Sequence, residues 1–474
     1  MNAGLQAARE ALAGSPAWLV GGAVRDELLG RKTADYDVVV AGDPATAARA
    51  VAKAGSPAAC FSLSEEFGSW RVVARDSSWQ VDVEPLRAAT LEEDLALRDF
   101  TVNAIARPLA GGEAVDPLGG SEDLRAGRLR LAGPGSFEQD PLRVLRLVRV
   151  AVELGLAPDE QTLQAARDSA QSLAAVSGER IFVELRRTIA TPSARAGVEL
   201  IAGVGALGVV LPELEALRGV EQSAFHHADV YEHTLEVLDR TVELTGPGGP
   251  DCPEAAVAIE PHRQEIRALL AEPLADEMSR GEAMRWGALL HDAAKPLTRE
   301  VRPGDGRVTF MGHDRVGADL AREVLGRLRA SERLKAHVTG LVRHHLRLGF
   351  LVHEPQPLAR RTVYGYLRAC GRVGADVSLL SIADRLATRG AGSDRAIEAH
   401  LRLAGSLLAD ALSWRQTGPP PPPLRGDELA RELGISPGPV LGDLLEEISA
   451  ASYAGEIGGR EEAIAHARLA LAAP

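Results

Sequence analysis

Three aspartates near the N-terminus stand in a pattern that can hold a metal ion. Asp35 and Asp37 flank one residue at the head of the apolar run Val38–Val40, and Asp82 lies in a second short apolar run. Alternation along a β-strand places Asp35 and Asp37 on one face, where two carboxylates repel unless a cation lies between them. Mg²⁺ takes hard oxygen ligands and leaves room for triphosphate oxygens. The pattern therefore predicts a site that activates an attacking hydroxyl and stabilises a leaving pyrophosphate; the alternative is solvated aspartates in a turn.

A Gly-Gly turn precedes these aspartates. Gly21 and Gly22 follow the β-prone run Trp18–Val20 and open a predicted helix. Adjacent glycines let backbone N–H groups approach an anion closely, and a helix N-terminus adds positive potential. Arg25 offers a charge-assisted contact to a phosphate. An ordinary tight turn also explains two adjacent glycines. The aspartates downstream are what favour a phosphate-binding turn here.

Histidines and aspartates in the second half of the chain form another candidate metal site. Neutral imidazoles with carboxylates suit Mn²⁺, Ni²⁺, Co²⁺ or Mg²⁺ better than they suit a structural zinc site. A bound ion lowers the pKa of its water and directs it at a phosphate ester. The expected ligands are His233, His291, Asp292 and Asp384, with Lys295, His313, His344 and His345 as auxiliary residues. This ordered set resembles the HD phosphohydrolase superfamily, and the alternative is a vestigial HD fold that serves only as an RNA-binding body.

Composition bounds the class of protein. The 474 residues suggest about three domains, and 45% apolar with 25% charged residues excludes disorder along the whole chain. Three cysteines are too few for a disulfide scaffold, and without a Cys-x-x-Cys pair they form no thiolate zinc ribbon. The net charge of −13 argues against a protein that coats nucleic acid everywhere. Neither a leader nor a membrane-spanning run is recognisable, so we expect a cytoplasmic protein without a membrane partner.

The pattern of the chain predicts where these residues lie. Short β-prone runs and one helix indicate a mixed α/β region up to about residue 134: Trp18–Val20, Tyr36–Val40, Trp70–Ala74, Gln80–Val83 and the helix Pro44–Ala54. From Asp140 onward the periodicity is helical, and the prolines Pro419–Pro423 indicate a stiff linker before a small helical tail. We expect four parts, at residues 1–134, 135–220, 221–412 and 413–474.

Ordered motifs extend this interpretation. The chain resembles the class II tRNA nucleotidyltransferase and bacterial poly(A) polymerase family, with similarity over residues 16–220 and onward through an HD domain and the tail. The segments that resemble its motifs A to E are, in order, GGAVRDELLGRKTADYDVVV, LRDFTVNAIA, DPLGGSEDLRAGRLR, QDPLRVLRLVRVAVEL and GERIFVELRR, and the tail segment is GISPGPVLGDLLEEISAASYAGEIGGREEAIAHA. The resemblance implies an α+β multidomain fold, with a polymerase-β-like α/β head, an all-helical neck, a helical HD domain and a helical tail.

The resemblance also implies site roles. Asp35 and Asp37 would hold Mg²⁺, with Asp82 as a supporting carboxylate. Asp140 and Arg143 would read the incoming base, since Asp accepts from an exocyclic amine and Arg donates to ring acceptors; Asp140 before Pro141 is alternatively a helix cap. The implied nucleotide-binding residues are Gly21, Gly22, Arg25, Arg98, Asp99, Asn103, Asp140, Arg143 and Arg146. The neck arginines expected to hold RNA backbone, or else to form a solvated helix face, are Arg149, Arg180, Arg186 and Arg187.

The implied activity is template-independent addition of C and/or A to the 3′ end of tRNA. CTP and ATP would be the substrates, tRNA the partner, and Mg²⁺ the ion in the head, with a transition metal or Mg²⁺ in the HD site. Within the family the alternatives are poly(A) polymerase and an enzyme that adds only CC. The short interval Glu84–Glu92 favours CC-only addition, because full CCA-adding members carry a flexible loop there. The alternative of another class is an HD phosphohydrolase with a nucleotide-binding head.

Overall fold

The strand that carries Asp35 and Asp37 lies inside a six-stranded mixed sheet. In this computed structural model, which describes residues 3–65, 67–222, 228–246, 248–389 and 394–472, the spatial order of the strands is β3-β4-β5-β2-β1-β6. The pairing of β2 with β5 is parallel, and the other pairings in this sheet are antiparallel. The strands are β1 (Ala17–Val20), β2 (Asp35–Val40), β3 (Ala58–Ser64), β4 (Ser69–Ala74), β5 (Gln80–Pro85) and β6 (Ala106–Pro108).

Short helices cover this sheet and connect its strands. The helices are α1 (Ala3–Ala11), α2 (Gly22–Leu28), α3 (Pro44–Ala54), α4 (Leu91–Ala96) and α5 (Gly120–Arg125), with a 3₁₀ turn at Thr101–Asn103. Helix α3 has the predicted bounds because Asp43 accepts the N–H of Thr46 as a cap and Pro44 stands at the first helical position. It packs against α1 and β4.

Helices follow the head along the chain. They are α6 (Ser136–Gln139), α7 (Arg143–Leu154), α8 (Glu160–Ser169), α9 (Gly178–Ala190), α10 (Ala194–Gly203) and α11 (Leu207–Val210). The helical periodicity predicted from Asp140 onward is confirmed in α7 and its cap residue, where Leu142, Leu145 and Val148 are buried and Val152 is half-buried. The short strands Arg128–Leu129 (β7) and Ala157–Pro158 (β8) pair in parallel.

The chain divides into two compact units. The first comprises residues 1–188 and 196–210, and the second comprises residues 189–195 and 211–474. The first unit therefore holds the sheet and helices α1–α8 with most of α9 and α10. The predicted division into four parts stays a prediction.

The second unit is helical. Its longer helices are α13 (Val230–Thr245), α16 (Arg280–Leu290), α17 (His313–Arg327), α18 (Glu332–His344), α20 (Arg360–Cys370), α21 (Gly374–Ala387), α22 (Asp394–Thr417), α24 (Pro439–Ala454) and α25 (Arg460–Ala472). The shorter helices are α12 (Pro212–Glu215), α14 (Ala256–Ile259), α15 (Arg263–Leu270), α19 (Arg347–Leu351) and α23 (Gly426–Leu433). Two small hairpins pair Pro273–Ala275 with Met278–Ser279 and Glu300–Val301 with Val308–Thr309. Helices α23–α25 bury an apolar cluster of their own, and the rings of Tyr364, Trp414 and Tyr453 pack together where α24 contacts α20.

The predicted fold class is confirmed. The four predicted strands are present, each one or two residues longer than predicted at one end or the other. Strands β3 and β6 were not predicted: β3 is a largely exposed edge strand, and β6 has only three residues and forms by pairing with β1. In the described part of the chain, every helix is too short or too polar to cross a membrane.

Candidate active site

The structure brings the three predicted head aspartates together. Because β2 and β5 run parallel, Asp37 stands opposite Asp82 in register, and Asp35 lies two residues before Asp37 on the same side of the strand. One carboxylate oxygen from each of the three side chains lies within 4.8 Å of the others. Such a trio of hard oxygen donors fits a divalent cation.

Each carboxylate of the trio has a different environment. Burial and the nearby charge of Asp35 raise the pKa of Asp37 to about 7, against the lowering effect of Arg98. Asp35 is exposed and accepts from Gln80 Nε2 at 2.8 Å. Asp82 accepts from Arg71 through both oxygens, at 2.7 and 2.6 Å. The negative charge is therefore least compensated at Asp35 and Asp37, and the supporting role of Asp82 stays a prediction.

The Gly-Gly turn approaches the carboxylates closely. Gly21 has φ of 69°, a left-handed conformation that favours glycine, and a Cβ atom there would lie 3.1 Å from Asp37 Oδ2 and 3.3 Å from Arg98 Nη1. A side chain at residue 21 would therefore strain the turn and displace the Asp37 carboxylate and the Arg98 guanidinium by a few tenths of an ångström. The turn and the acidic trio therefore form one site.

A cavity of about 570 Å³ opens beside this turn. Seven arginines and five carboxylates line it, so cationic side chains predominate, and it contains Asp35 and Asp37 together with most of the predicted nucleotide-binding residues. Its lining includes Gly21, Gly22, Arg25, Asp35, Asp37, Glu84, Arg87, Arg98, Asp99, Asn103, Arg143, Arg146, Arg149 and Arg187. Arg149 and Arg187, which were predicted to hold RNA backbone, also line it.

A chain of alternating charges holds the cavity arginines in place. Arg25 Nη1 donates to Asn103 Oδ1 at 2.7 Å, and Asn103 Nδ2 donates to Asp99 Oδ1 at 2.9 Å. Arg146 Nη1 lies 3.3 Å from Asp99 Oδ2 and reaches Glu184 through Nε at 3.4 Å. Burial alone would raise the pKa of Asp99, but Arg146 and Asn103 outweigh it and lower the pKa. Asp99 therefore acts as a fixed anion between two cationic side chains.

The same series of alternating charges continues along α7 and α9. Glu184, buried, accepts from Arg149 Nε at 2.5 Å, and Glu153 accepts from both Arg149 and Arg187, at 2.8 and 3.0 Å. Sequence reasoning missed Glu184, Glu153 and Arg71. Glu184 and Arg71 pair with residues of other elements, which only the packing reveals. Glu153 stands four residues after Arg149 on α7, and this spacing of a helical ion pair is a signal that the sequence does contain.

The predicted base-reading pair is divided between two environments. Arg143 lines the cavity and donates to Ser136 Oγ at 2.8 Å and to the carbonyl of Leu97 at 3.0 Å. Asp140 accepts the N–H of Leu142 at 3.2 Å and Arg180 Nη2 at 2.8 Å, and it is not among the residues that line the cavity. Arg180 is exposed, and Arg186 is half-buried on α9. The roles of these residues stay predictions.

The second predicted metal set also converges. His233 on α13, His291 and Asp292 after α16, His313 at the start of α17, His345 after α18, and Asp384 on α21 meet in one place. His233 Nε2 lies 3.1 Å from Asp384 Oδ1, and Lys295 Nζ lies 2.7 Å from Asp292 Oδ2. Although burial opposes it, His291 and Lys295 hold the pKa of Asp292 well below its ordinary value. A cavity of about 600 Å³ reaches this cluster.

His344 is the exception among the predicted HD residues. Its Nδ1 accepts from Arg347 Nε at 2.9 Å, and its half-buried side chain is not among the residues that line the HD cavity. Successive side chains on a helix diverge by about 100°, so only one of two adjacent histidines faces the cluster. His345, which is buried, is that residue.

Comparison with known proteins places these sites in a family. The chain matches "Poly A polymerase head domain" over residues 17–130, "Probable RNA and SrmB- binding site of polymerase A" over 155–217, and "HD domain" over 267–388. A likeness in fold extends along 98% of the chain to 95% of a solved "CCA-adding enzyme with ATP", with a TM-score of 0.64 and 20% identity.

Two curated relatives are similar along almost the whole chain. An A-adding tRNA nucleotidyltransferase of Deinococcus radiodurans is 37% identical, covering 94% of this chain and 93% of the relative. A CC-adding tRNA nucleotidyltransferase of Thermus thermophilus is 35% identical, covering 94% and 92%. The chain therefore belongs to the tRNA nucleotidyltransferase and poly(A) polymerase family, and it is a nucleotidyltransferase.

Proposed function

We propose that this enzyme adds C and/or A to the 3′ end of tRNA from CTP and ATP, with Mg²⁺ held by Asp35 and Asp37. The observation that carries the proposal is the convergence of Asp35, Asp37 and Asp82, of which the first two line an arginine-rich cavity that also includes the Gly21–Gly22 turn. The names of the relatives support tRNA as the acceptor.

The chemistry is attack of the RNA 3′-oxygen on the α-phosphorus of the nucleotide. The new bond joins the 3′-oxygen to that phosphorus, the bond to the bridging oxygen of the β-phosphate breaks, and pyrophosphate leaves. Asp35 and Asp37 would hold a divalent ion, which would supply activation of the attacking hydroxyl and charge compensation for the leaving pyrophosphate. Carboxylate oxygens are the hard ligands that Mg²⁺ prefers.

The cavity arginines bind and orient the triphosphate. Arg25 is fixed by Asn103, and Arg146 and Arg149 are fixed by buried carboxylates, so their guanidiniums need little reorganisation when an anion enters. Arg143, held by Ser136 and the Leu97 carbonyl, is the cavity residue that we assign to base selection. Asp140 joins it when Arg180 is drawn to RNA phosphate.

We further propose that this chain adds only part of the CCA sequence, with CC as the favoured part. Only Leu86–Ala89 and the cap residue Thr90 separate β5 from α4. This connection is tied down, because the N–H of Arg87 donates to Asp94 Oδ1 at 2.9 Å and Thr90 with Glu93 forms a capping box. Such a short connection leaves no room for the flexible loop that assists the switch from C to A in full CCA-adding members.

Stepwise incorporation tests this assignment. Purified enzyme with labelled CTP or ATP is given tRNA that lacks CCA, that ends in C, or that ends in CC. We expect CMP incorporation on the first two and no AMP on the third. AMP on the CC-ending tRNA would contradict CC-only addition, AMP on that substrate alone would assign A-only addition, and long A tails would assign poly(A) synthesis.

A phosphohydrolase activity of the HD site stays a second candidate. The convergence of His233, His291, Asp292 and Asp384 beside a cavity favours it, and these ligands suit a divalent transition metal or Mg²⁺. Hydrolysis of a cyclic phosphodiester that persists after Asp35→Asn and Asp37→Asn substitution would assign the activity to this site.

A further inference from the structure

The acidic trio of the head stands at a border within the sheet. Asp35 and Asp37 line the arginine-rich cavity, whereas Asp82 and its partner Arg71 are not among the lining residues. Strand β1, which leads into the Gly21–Gly22 turn, lies on one side of β2, and β5, which carries Asp82, lies on the other. The turn is therefore on one side of the carboxylates, and strands β5, β4 and β3 are on the other.

The geometry of nucleotide addition gives these two sides different tasks. The attacking and leaving oxygens lie roughly in line across the phosphorus. Under the proposed function, pyrophosphate leaves toward the Gly21–Gly22 turn and the cavity arginines. The RNA 3′-oxygen then approaches from the opposite side, which is the side of Asp82. The last nucleotides of the RNA consequently pass over the strands beyond Asp82.

One row of side chains crosses these strands. In the register of the sheet, Phe61 on β3 stands opposite Arg71 on β4, Arg71 opposite Asp82 on β5, and Asp82 opposite Asp37 on β2. Directly opposed residues of paired strands lie on the same face. Phe61 and the metal-binding carboxylates therefore share one face. Three strand spacings of about 4.8 Å place Phe61 roughly 14 Å from Asp37.

The part of this face on β3, β4 and β5 is accessible, and we call it the open face. Helix α3 lies on the other side of the sheet, since Arg49 of α3 lies 5.2 Å from the ring of Trp70, which precedes the row residue of β4 and points the other way. On the open face Ala59 and Phe61 are exposed and Val73 is half-buried. An extended strand of RNA can therefore reach these side chains.

Phe61 is suited to hold a base on the open face. Its side chain is 47% exposed, and strand β3, which lies at the edge of the sheet, carries no charged residue between Ala58 and Ser64. Exposed edge strands usually carry charges or prolines, which this strand lacks. Exposed aromatic rings on an open sheet are the platforms on which bases of single-stranded RNA stack.

We propose that the open face holds the single-stranded 3′ end of the acceptor RNA, with a base just before the terminal nucleotide stacked on Phe61. Stacking tolerates any sequence, because every base has a π-face. It therefore suits an acceptor whose last nucleotides change with each addition. This inference rests on the proposed function, since the RNA 3′-oxygen has to reach the ion at Asp35 and Asp37.

Steady-state incorporation onto tRNA tests the proposal, with the nucleotide that the stepwise assay shows to be incorporated. Phe61→Ala should raise KM for the tRNA about 10-fold and leave kcat and KM for the nucleotide within about twofold. Phe61→Tyr, which keeps an aromatic ring, should behave like the parent, whereas Phe61→Leu should stay closer to Phe61→Ala. Ser62→Ala is the matched control, because Ser62 lies on the same strand and points to the other face.

Acceptors that lack one base locate the stacked nucleotide. In each of three tRNAs, one of the last three nucleotides before the 3′ terminus is abasic. With the parent enzyme, one of them should raise KM about 10-fold, and with Phe61→Ala the same acceptor should cause no further increase, because the two changes remove one contact. A further 10-fold increase with every abasic acceptor that affects the parent would overturn the proposal.

Other outcomes separate this inference from the proposed function. A parent enzyme that incorporates nucleotide while a folded Phe61→Ala protein has the same KM for tRNA would overturn this inference alone. The same conclusion follows if Phe61→Ala abolishes a dimer in sedimentation without changing KM, because the open face would then bind a second copy of the chain. A parent that adds no nucleotide to any tRNA would contradict the proposed function as well. If circular dichroism shows that Phe61→Ala does not fold, equal KM values for Phe61→Leu and Phe61→Tyr would overturn the inference.

Discussion

Replacement of Asp37 by asparagine is expected to lower the rate of nucleotide incorporation by about 1,000-fold. Asparagine has the shape of aspartate, so the half-buried position on β2, between β1 and β5, remains filled. Among the described residues, no basic side chain pairs closely with Asp35 or Asp37. The substitution therefore removes one of these two uncompensated charges, and with it the principal ligand of the ion. Asp35→Asn should have a similar effect, and because Asp35 is exposed, its replacement should leave stability unchanged.

The measurement is single-turnover incorporation of labelled nucleotide onto tRNA, with thermal unfolding of each variant alongside. Asp43→Asn is the matched control, because Asp43 is an exposed carboxylate in the same unit whose role is to cap α3, and asparagine caps equally well. Its rate should stay within about twofold of the parent. An Asp37→Asn enzyme that folds and keeps more than about a tenth of the parent rate would contradict the assignment of the head site.

Asp82→Asn should cost less than Asp37→Asn. Arg71 already pairs with both Asp82 oxygens, so loss of this charge removes a supporting group rather than the principal ligand. We expect a loss of about 10- to 100-fold, with the freed guanidinium of Arg71 now facing Asp37. A smaller loss for Asp82→Asn than for Asp37→Asn would show that the three carboxylates contribute unequally, whereas equal losses would indicate three equivalent ligands.

Local patterns in the sequence predict the elements of this site but not all of their partners. The run from Tyr36 to Val40 and the run from Gln80 to Val83 are visible as strands, and the spacing of Asp35 and Asp37 places both on one face. Their proximity to Asp82 depends on the parallel register of β2 and β5. The ion pair between Arg71 and Asp82 depends on the antiparallel register of β4 and β5, in which Arg71 stands opposite Asp82. Register arises from long-range packing, which residue spacing alone does not encode.

The HD cluster likewise has features that the local sequence predicts and features that depend on the packing of distant segments. The order of His233, His291, Asp292 and Asp384 predicts a metal site, and the structure brings these residues together. The sequence cannot choose between His344 and His345, because the answer depends on the rotation of α18 about its axis. Nor can it show that Oδ2 of Asp292 lies nearest His291 and His233 while Oδ1 lies nearest His313 and His345, since this follows from the packing of distant helices.

A buried glycine packs against the backbone turn that carries a residue of the head site. Gly120 begins α5 inside the segment that resembles motif C, and a Cβ atom there would lie 2.1 Å from the carbonyl oxygen and 2.7 Å from the carbonyl carbon of Thr101. Both atoms belong to the backbone of the 3₁₀ turn Thr101–Asn103, so no side-chain rotation relieves the collision. The same turn carries Asn103, which connects Arg25 to Asp99. The glycine therefore sets the distance between α5 and the turn that positions a cavity residue.

Gly120→Ala should consequently damage both stability and activity. Overpacking against backbone costs about 1–3 kcal/mol, which corresponds to a fall in Tm of about 5 °C. Displacement of Asn103 should lower incorporation by about 10- to 100-fold at a temperature where the variant is still folded. Gly42→Ala is the control, since a Cβ atom at Gly42 would meet nothing within 4 Å, and it should leave both measurements unchanged. If Gly120→Ala melts and reacts like the Gly42→Ala protein, then α5 and the turn can separate without cost, and the position of Asn103 must be set by its bonds to Arg25 and Asp99 alone.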